Sequence, residues 1–528
     1  MFKVNHFTME SITMNQFISK HGSDVIGTLN GWDRLIFRGV HRLLLTAAGV
    51  TWYLHQLQVR LVEFKSFTQS VTSSIVEASK AHAASFDRPD RYLPSSAMSK
   101  EGLARDILAE FPVEQGLICV LRCVEPCRTY RMGAGDGPGK RELRPELRKC
   151  TFLYHYYLDP QFGFMHVRIQ TWMPYTVQVY VNGREWLGHR MDEAGLAYRR
   201  ADNCFTWIEN FGQAQTLMDG LGSLDWPREL DGLAQRVNPN LVPDVDGALP
   251  YYWTGYQTEW ATDVAFRSAE SLASVYPQLA LGAITGFSSP DVLRFLQRRY
   301  TRNFTGEVAS DFKDRAEGIR VKHAANGNAV KMYDKQGSVL RVETTITQPR
   351  DLKVYRASER EPEGEKSLRR MRQGVADLPA RADKSQRTNE RYLDALAQLD
   401  ATTRLEDIFG SVSRPVHRKK KKARALRLWT PDDQNLLHAI SKPEFLLAGF
   451  RNADIAHLLY PKEMEDPKRR RNVSAKISYR LKLLRAHGLI AKLNKTRRYR
   501  INLKGHQVCM AAALSQKATI QALTKAAA

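Results

Sequence analysis

Apolar and polar residues alternate with a period of two through the middle of the chain. Residues 150–158 and 164–172 flank the turn-like Asp159-Pro160-Gln161-Phe162-Gly163, and 176–181 run up to Asn182-Gly183, which predicts a three-stranded antiparallel meander. A second meander is predicted at 319–323, 329–335 and 338–346, turning at Asn326-Gly327 and Gln336-Gly337. Elsewhere the period lengthens. Residues 52–84 place apolar side chains at helical intervals, Ser99 is a plausible cap for 99–108, and the apolar stretch 35–54 reads as a buried helix, so the first hundred residues read as helical. Further helices are expected near 259–276, 289–300 and 391–399. Between 350 and 425 the hydrophobic content falls and charges alternate, as in a solvated connector.

A chain of 528 residues is too long for one hydrophobic core. The expected fold class is α+β multidomain: a helical N-terminal region at 1–110, an α+β core with antiparallel β-meanders at 111–350, a charged connector and basic arm at 351–425, a C-terminal winged helix at 426–510 and a tail at 511–528. Residues 1–15 lack the apolar run of a signal peptide, and Arg38, His41 and Arg42 interrupt the most apolar stretch. A cytoplasmic, nucleoid-associated protein is expected. Cys119, Cys123 and Cys127 recur every four residues and Cys150 follows. They are either buried structural thiols or, against the usual knuckle spacing, a metal site.

Charge divides unevenly. Residues 411–528 hold 27 Lys+Arg against 7 Asp+Glu, leaving 52 against 49 for residues 1–410. A basic end on a nearly neutral body points to a polyanion partner. Thr430-Pro431-Asp432-Asp433 opens a first helix, 450–460 supplies a second, and 472–487 a third, with Val473, Ile477, Leu481 and Leu484 on one stripe. Strands at 489–493 and 498–503 follow. This succession resembles the winged helix-turn-helix superfamily of DNA-binding domains. The resemblance implies duplex DNA as partner, the third helix in the major groove and the wing on adjacent backbone. It assigns Lys476, Tyr479 and Arg480 to base edges or nearby phosphates, and Lys495, Arg497 and Arg498 to wing contacts. Arg469, Arg470 and Arg471 are expected to grip backbone just ahead of the helix. The run Arg418 to Arg424, with Lys419, Lys420, Lys421 and Lys422, is expected to act as a basic arm.

The body offers chemistry of its own. Alternation in the second meander puts Arg320, Lys322, Lys331, Tyr333, Lys335, Arg341 and Glu343 on one polar face. Lys331-Met332-Tyr333-Asp334-Lys335 and Leu340-Arg341-Val342-Glu343 resemble paired strands of phage and plasmid replication initiators. The resemblance implies Tyr333 as a nucleophile for a DNA end, with Lys335, Arg341, Glu343 and His166 around the reaction and Mg²⁺ or Mn²⁺ as cofactor. His166-Val167-Arg168 supplies only one histidine of those initiators' two-histidine metal motif. In the first meander Tyr154, Tyr156, His166, Arg168, Gln170 and Gln178 are expected to share a face, where single-stranded nucleic acid would stack and pair.

Other candidates are weighed against plainer readings. Glu259 and Asp263, like Glu307 and Asp311, read either as oxygen ligands one helical turn apart or as solvated helix charge. The segment 133–140 lacks the glycine spacing of a phosphate loop and reads as a surface loop. Gly31-Trp32-Asp33-Arg34, Gly163-Phe164-Met165-His166, Asn182-Gly183-Arg184-Glu185-Trp186 and Val339-Leu340-Arg341-Val342-Glu343 also resemble a broad bacterial family, a resemblance that implies origin but no activity. Three functions follow: a DNA-binding, strand-processing protein of mobile-element or replication-initiation type, a non-catalytic transcriptional regulator, or an adaptor tethering a partner to DNA.

Overall fold

The computed structural model describes residues 14–137, 140–237, 249–298, 306–313, 320–358, 361–398, 405–418, 421–441, 445, 449–493, 496–502, 504–505, 507–509 and 511–512. It is a mixed α/β structure rich in antiparallel strands and divides into two compact units, residues 26–266 with 341–389, and residues 1–25 with 267–340 and 390–528. The strands, in chain order, are β1 Val25–His41, β2 Asp90–Leu93, β3 Gly116–Ala134, β4 Arg141–Asp159, β5 Gly163–Gln170, β6 Val177–Asn182, β7 Tyr198–Ala201, β8 Cys204–Ile208, β9 Tyr251–Phe266, β10 Val308–Lys313, β11 Arg320–Ala325, β12 Asn328–Lys335, β13 Val339–Ile346, β14 Lys353–Arg356 and β15 Ser367–Arg370.

In the first unit the sheet neighbours run β2-β3-β4-β5-β6-β1-β9-β13. β2 joins β3 in parallel, and the pairs from β3 through to β1 are antiparallel. The expected first meander is therefore β4-β5-β6, with Asp159 opposite Gly163 at its hairpin. Helices Ala47–Gln56 and Phe64–Ser85 cover 52–84 largely as expected, and bury Val50, Tyr53, Val71 and Ile75 in the main core with Cys119, Cys123, Cys127 and Cys150.

Two helical expectations fail in the same way. The N-terminal region is not simply helical, because residues 25–41 form the long strand β1 between β6 and β9, with Trp32, Leu35 and Phe37 inaccessible. A strand covered on both faces loses its clean alternation, and its continuous apolar run then resembles a buried helix. Residues 251–266 are likewise a strand, β9. Tyr252, Thr254, Tyr256, Thr258, Trp260 and Thr262 are β-branched or aromatic, and that preference for a pleated surface outweighs the four-residue interval between Glu259 and Asp263.

The stretch expected as a connector is also structured. β14 pairs with β15, and a long helix spans Leu378–Gln398. Arg381, fully buried, donates to the carbonyls of Gly255, Arg372 and Gln373 and so fixes residues 372–373 against β9. Burial, partly countered by Asp377 and Tyr252, lowers its pKa to about 10.

In the second unit β10, β11 and β12 form an antiparallel meander. Asn326, Gly327, Gln336 and Gly337 all take positive φ, which is the backbone that two-residue hairpin turns require. The C-terminal part has its own core. It contains helices Pro431–Ile440, Asn452–Leu459, Pro461–Glu465 and Pro467–Ala486 and four further strands: β16 Val416–Arg418 pairs with β17 Lys421–Ala423, and β18 Ile490–Lys492 with β19 Tyr499–Ile501. Among the described residues no helix is long and apolar enough to cross a membrane.

Candidate functional site

Three constellations carry charge or chemistry, two in the sheet unit and one in the C-terminal part. The first is buried. Helix Gly183–Glu193 begins hard against β1, where a Cβ on Gly183 would stand 1.8 Å from the Trp32 carbonyl oxygen, so only glycine permits the approach. Asn182 caps the helix by accepting from the backbone N–H groups of Arg184 and Glu185. This delivers Arg184, with no exposed surface, to Asp263 at 3.0 Å and toward Asp33 at 3.8 Å.

Arg341 of β13 completes the arrangement. Its Nε lies 2.6 Å from Asp263 Oδ1, its Nη1 3.0 Å from Asp33 Oδ1, and its Nη2 donates to the Asn203 carbonyl. Asn203 in turn donates to Asp33 at 2.7 Å. Beside this lattice Asp33, Glu259 and Glu343 each offer a carboxylate oxygen within 4.8 Å of the others, and all three are buried. Gln257 donates to Glu259 at 2.9 Å, and Arg34 stands 3.8 Å from it. Burial works against the Arg34 charge, but Glu259, Tyr180, Asp33 and Glu343 together raise its pKa. Three oxygens at this spacing suit a hard divalent cation, though Arg341 and Arg34 already neutralise part of the charge.

Several sequence expectations change here. Arg341 and Glu343 are 1% and 3% exposed, so they do not lie on an open polar face. Arg341 is paired with Asp33 and Asp263. Lys335 is buried and Tyr333 half-buried on β12, where Asp334 accepts from the Gly337 backbone to close the turn. Glu259 and Asp263 are buried on a strand, not solvated on a helix, and at four residues apart they share one of its faces. Asp311 is exposed on β10 and stands 3.4 Å from Arg320, and Glu307 precedes that strand. Three of the segments quoted for the bacterial-family resemblance, around Asp33, Arg184 and Arg341, meet in this lattice.

The second constellation lies along β3 to β6. The register sets Tyr154 opposite Arg168, Tyr156 opposite His166, His166 opposite Tyr180 and Arg168 opposite Gln178. Glu125 accepts from Tyr154 at 2.9 Å, from Arg168, and from the Cys123 thiol at 3.2 Å, with Lys100 at 3.2 Å. Burial pushes the Glu125 carboxyl up, yet the Arg168 charge and these hydrogen bonds hold it below the usual carboxylate range. His166 stacks on Tyr180 with 5.1 Å between ring centroids, and burial with the Arg168 charge lowers its pKa to about 3. A neutral, half-buried imidazole of that kind is a poor proton acceptor near pH 7. Gln170 donates to the Trp172 carbonyl and holds a loop rather than a ligand. All six cysteines are buried, and among the described residues no group of three metal-ligand side chains includes one. Residues 133–137 and Lys140 lie at the β3-β4 hairpin, with the Gly135 N–H on the Lys140 carbonyl.

One polar relay had no sequence signal. In the second unit buried His323 bridges exposed Ser310, at 2.8 Å, and the Tyr392 hydroxyl, at 3.2 Å. Burial lowers the histidine to about 4, so it holds β10, β11 and the Leu378–Gln398 helix together as a neutral ring.

The third constellation is the helix Pro467–Ala486. Asp466 caps it by accepting from the Lys468 N–H. The helix starts earlier than expected, so Arg469, Arg470 and Arg471 lie in its first turns, all exposed, rather than ahead of it. Val473, Ile477, Leu481 and Leu484 form the buried stripe. Lys476, Tyr479 and Lys482 are exposed, and Lys476 lies 4.6 Å from the Tyr460 ring centroid. Arg480 does not join them: it is 6% exposed and pairs with Asp432 at 2.9 Å. Asn452 donates to the Ser474 carbonyl and Ser478 hydroxyl, both at 2.8 Å, and locks helix Asn452–Leu459 against this one.

After the helix, Arg497 is exposed, and half-buried Arg498 donates to the Gly449 carbonyl. Lys495, Lys419 and Lys420 lie outside the described residues. Lys422 is exposed on β17, which pairs with β16 in a hairpin, so the basic run is partly folded rather than a free arm; Lys421 lies on the same strand. Arg424 anchors that hairpin through two 2.8 Å bonds to Asp433, and its carbonyl is 2.8 Å from His487 Nε2. No protein-family model, curated protein or solved structure matches the chain.

Proposed function

We propose that the chain binds duplex DNA through residues 426–510 acting as a winged helix, with Pro467–Ala486 as the reading helix and β18-β19 as the wing. One observation carries the reading: the helix that packs its apolar stripe inward leaves Arg469, Arg471, Lys476, Tyr479 and Lys482 exposed away from that stripe, with Arg470 exposed in its first turn. A row of cations on one helix, next to a basic hairpin, matches the spacing and charge of a duplex backbone. The body is then a regulator or adaptor, a reading supported by Arg184 and Arg341 being buried and paired with Asp33 and Asp263 rather than open to a strand.

The test is fluorescence anisotropy of the full chain with a labelled 20-base-pair duplex across a salt series. The Arg470→Ala/Arg471→Ala/Lys476→Ala variant should lose affinity strongly and flatten the log K against log salt slope by about 3, near 0.9 per lost phosphate contact. Unchanged affinity and slope would sink the assignment.

A further inference from the structure

The sheet unit carries a second cationic feature, and it is concave. A cleft of about 980 Å³ opens between the ends of β1, β3 and β9 and the segment after β13. Arg38, Arg42, Arg128, Arg350, Arg356, Arg370 and Arg372 line it, and among the described residues no carboxylate does. Arg356 and Arg372 are held by Asp377. Among the described residues, Arg42, Arg128, Arg350 and Arg370 have no carboxylate partner, and all four are exposed. Burial lowers the Arg38 pKa, the nearby Tyr256 opposes this, and the Arg168 and Arg128 charges lower it further.

Aromatic faces are interleaved with the cations. Tyr252 and Tyr256 project from the same face of β9, being four residues apart on a strand. The Arg42 guanidinium covers Tyr252 at 3.6 Å from its ring centroid, while Tyr256 is 52% exposed with Arg38 at 5.9 Å. The wall is stiff. Thr254 bridges to Gly374, the Gly255 N–H donates to the Gln373 carbonyl, and Arg381 ties both segments from below. The volume admits a few nucleotides but not a double helix about 20 Å across, whose bases are in any case stacked away from such a wall.

We propose that this cleft binds single-stranded nucleic acid, its arginines on successive phosphates and the exposed Tyr256 ring against a base. The site is separate from the C-terminal module, so either assignment stands if the other fails.

Anisotropy with labelled (dT)15 and with the 20-base-pair duplex tests it on the full chain. Arg350→Ala/Arg370→Ala should weaken (dT)15 binding about tenfold and lower its salt slope by about 1.4, at 0.7 per phosphate, with duplex binding unchanged. Tyr256→Ala should weaken (dT)15 about fivefold or more with its salt slope intact, since stacking is not electrostatic. Wild-type (dT)15 affinity in both variants would overturn the proposal. So would loss of (dT)15 binding only in the Arg470→Ala/Arg471→Ala/Lys476→Ala variant, which would move the single strand to the C-terminal module. If the arginine variant loses binding while Tyr256→Ala does not, and inorganic polyphosphate competes as well as (dT)15, the cleft is a polyanion site and the nucleic-acid assignment fails.

Discussion

The sheet unit uses arginine in two opposite ways. Arg184 and Arg341 are fully enclosed and meet Asp33 and Asp263 at 2.6–3.8 Å. Arg42, Arg128, Arg350 and Arg370 stand exposed around a cleft that, among the described residues, no carboxylate lines. Where the fold supplies the counter-charge, the guanidinium becomes part of the architecture. Where the fold withholds it, the charge remains available to a ligand. Composition does not distinguish the two sets.

The sharpest way to break this contrast is to remove members of each set. Arg341→Met leaves Asp33 and Asp263 buried with only part of their compensation, and losing one side of such a lattice costs about 3–5 kcal/mol. Arg350→Ala/Arg370→Ala removes exposed charges with no carboxylate partner and should stay within about 0.5 kcal/mol of wild type. Urea unfolding monitored by tryptophan fluorescence measures both. Comparable losses in the two variants would show that the cleft arginines are structural as well.

A smaller effect of the same kind separates Arg480 from Lys476. Both lie on the helix Pro467–Ala486, yet only Lys476 is exposed. Arg480→Ala removes a bond to Asp432, whose side chain is 70% exposed, so screening limits the loss to about 1 kcal/mol. Lys476→Ala should leave the melting temperature unchanged and lower duplex affinity. If Arg480→Ala weakens duplex binding at unchanged stability, Arg480 touches DNA despite its burial.

Much of this was legible in the chain and some was not, for reasons that particular residues expose. The β4-β5-β6 meander and the turns at Asn326-Gly327 and Gln336-Gly337 were readable, because one face is buried or the turn demands glycine. β1 and β9 were misread because strands enclosed between neighbours lose their alternation. Glu259 and Asp263 were singled out as a pair for the wrong reason: four residues place two side chains together on a helix and also on a strand. Arg480 lies seven residues after Val473 and four before Leu484, so helical spacing places it on the buried stripe, and only its charge pointed to solvent. Its partner Asp432 lies 48 positions earlier, too far for local pattern to register. The buried lattice unites residues 33, 184, 263 and 341, and the cleft gathers arginines from 38 to 372. Neither leaves a periodic trace, since only the sheet order brings those segments together.

Another predicted effect, small near neutral pH, concerns a buried group that carries no charge at all. His155 on β4 is fully enclosed, and burial, then the neighbouring His82, lowers its pKa to about 3. An unfolded chain takes up this proton near pH 6.5, whereas the folded chain resists it until about pH 3. The neutral ring's contribution is therefore complete above pH 6.5 and is lost as pH falls through that window. At pH 6 the loss is under about 1 kcal/mol, and it grows with further acidification. Glu125 acts in the same direction but only at lower pH, because its shift lies at and below the usual carboxylate range. His155→Phe should accordingly flatten the fall in melting temperature from about pH 6.5 down to about pH 3, leaving in place only the part below pH 4.5 that comes from carboxylates such as Glu125. An unaltered profile between pH 6.5 and 5 would mean that His155 already accepts a proton in the folded chain. It would then belong with the charged groups the sheet neutralises rather than with those it keeps uncharged.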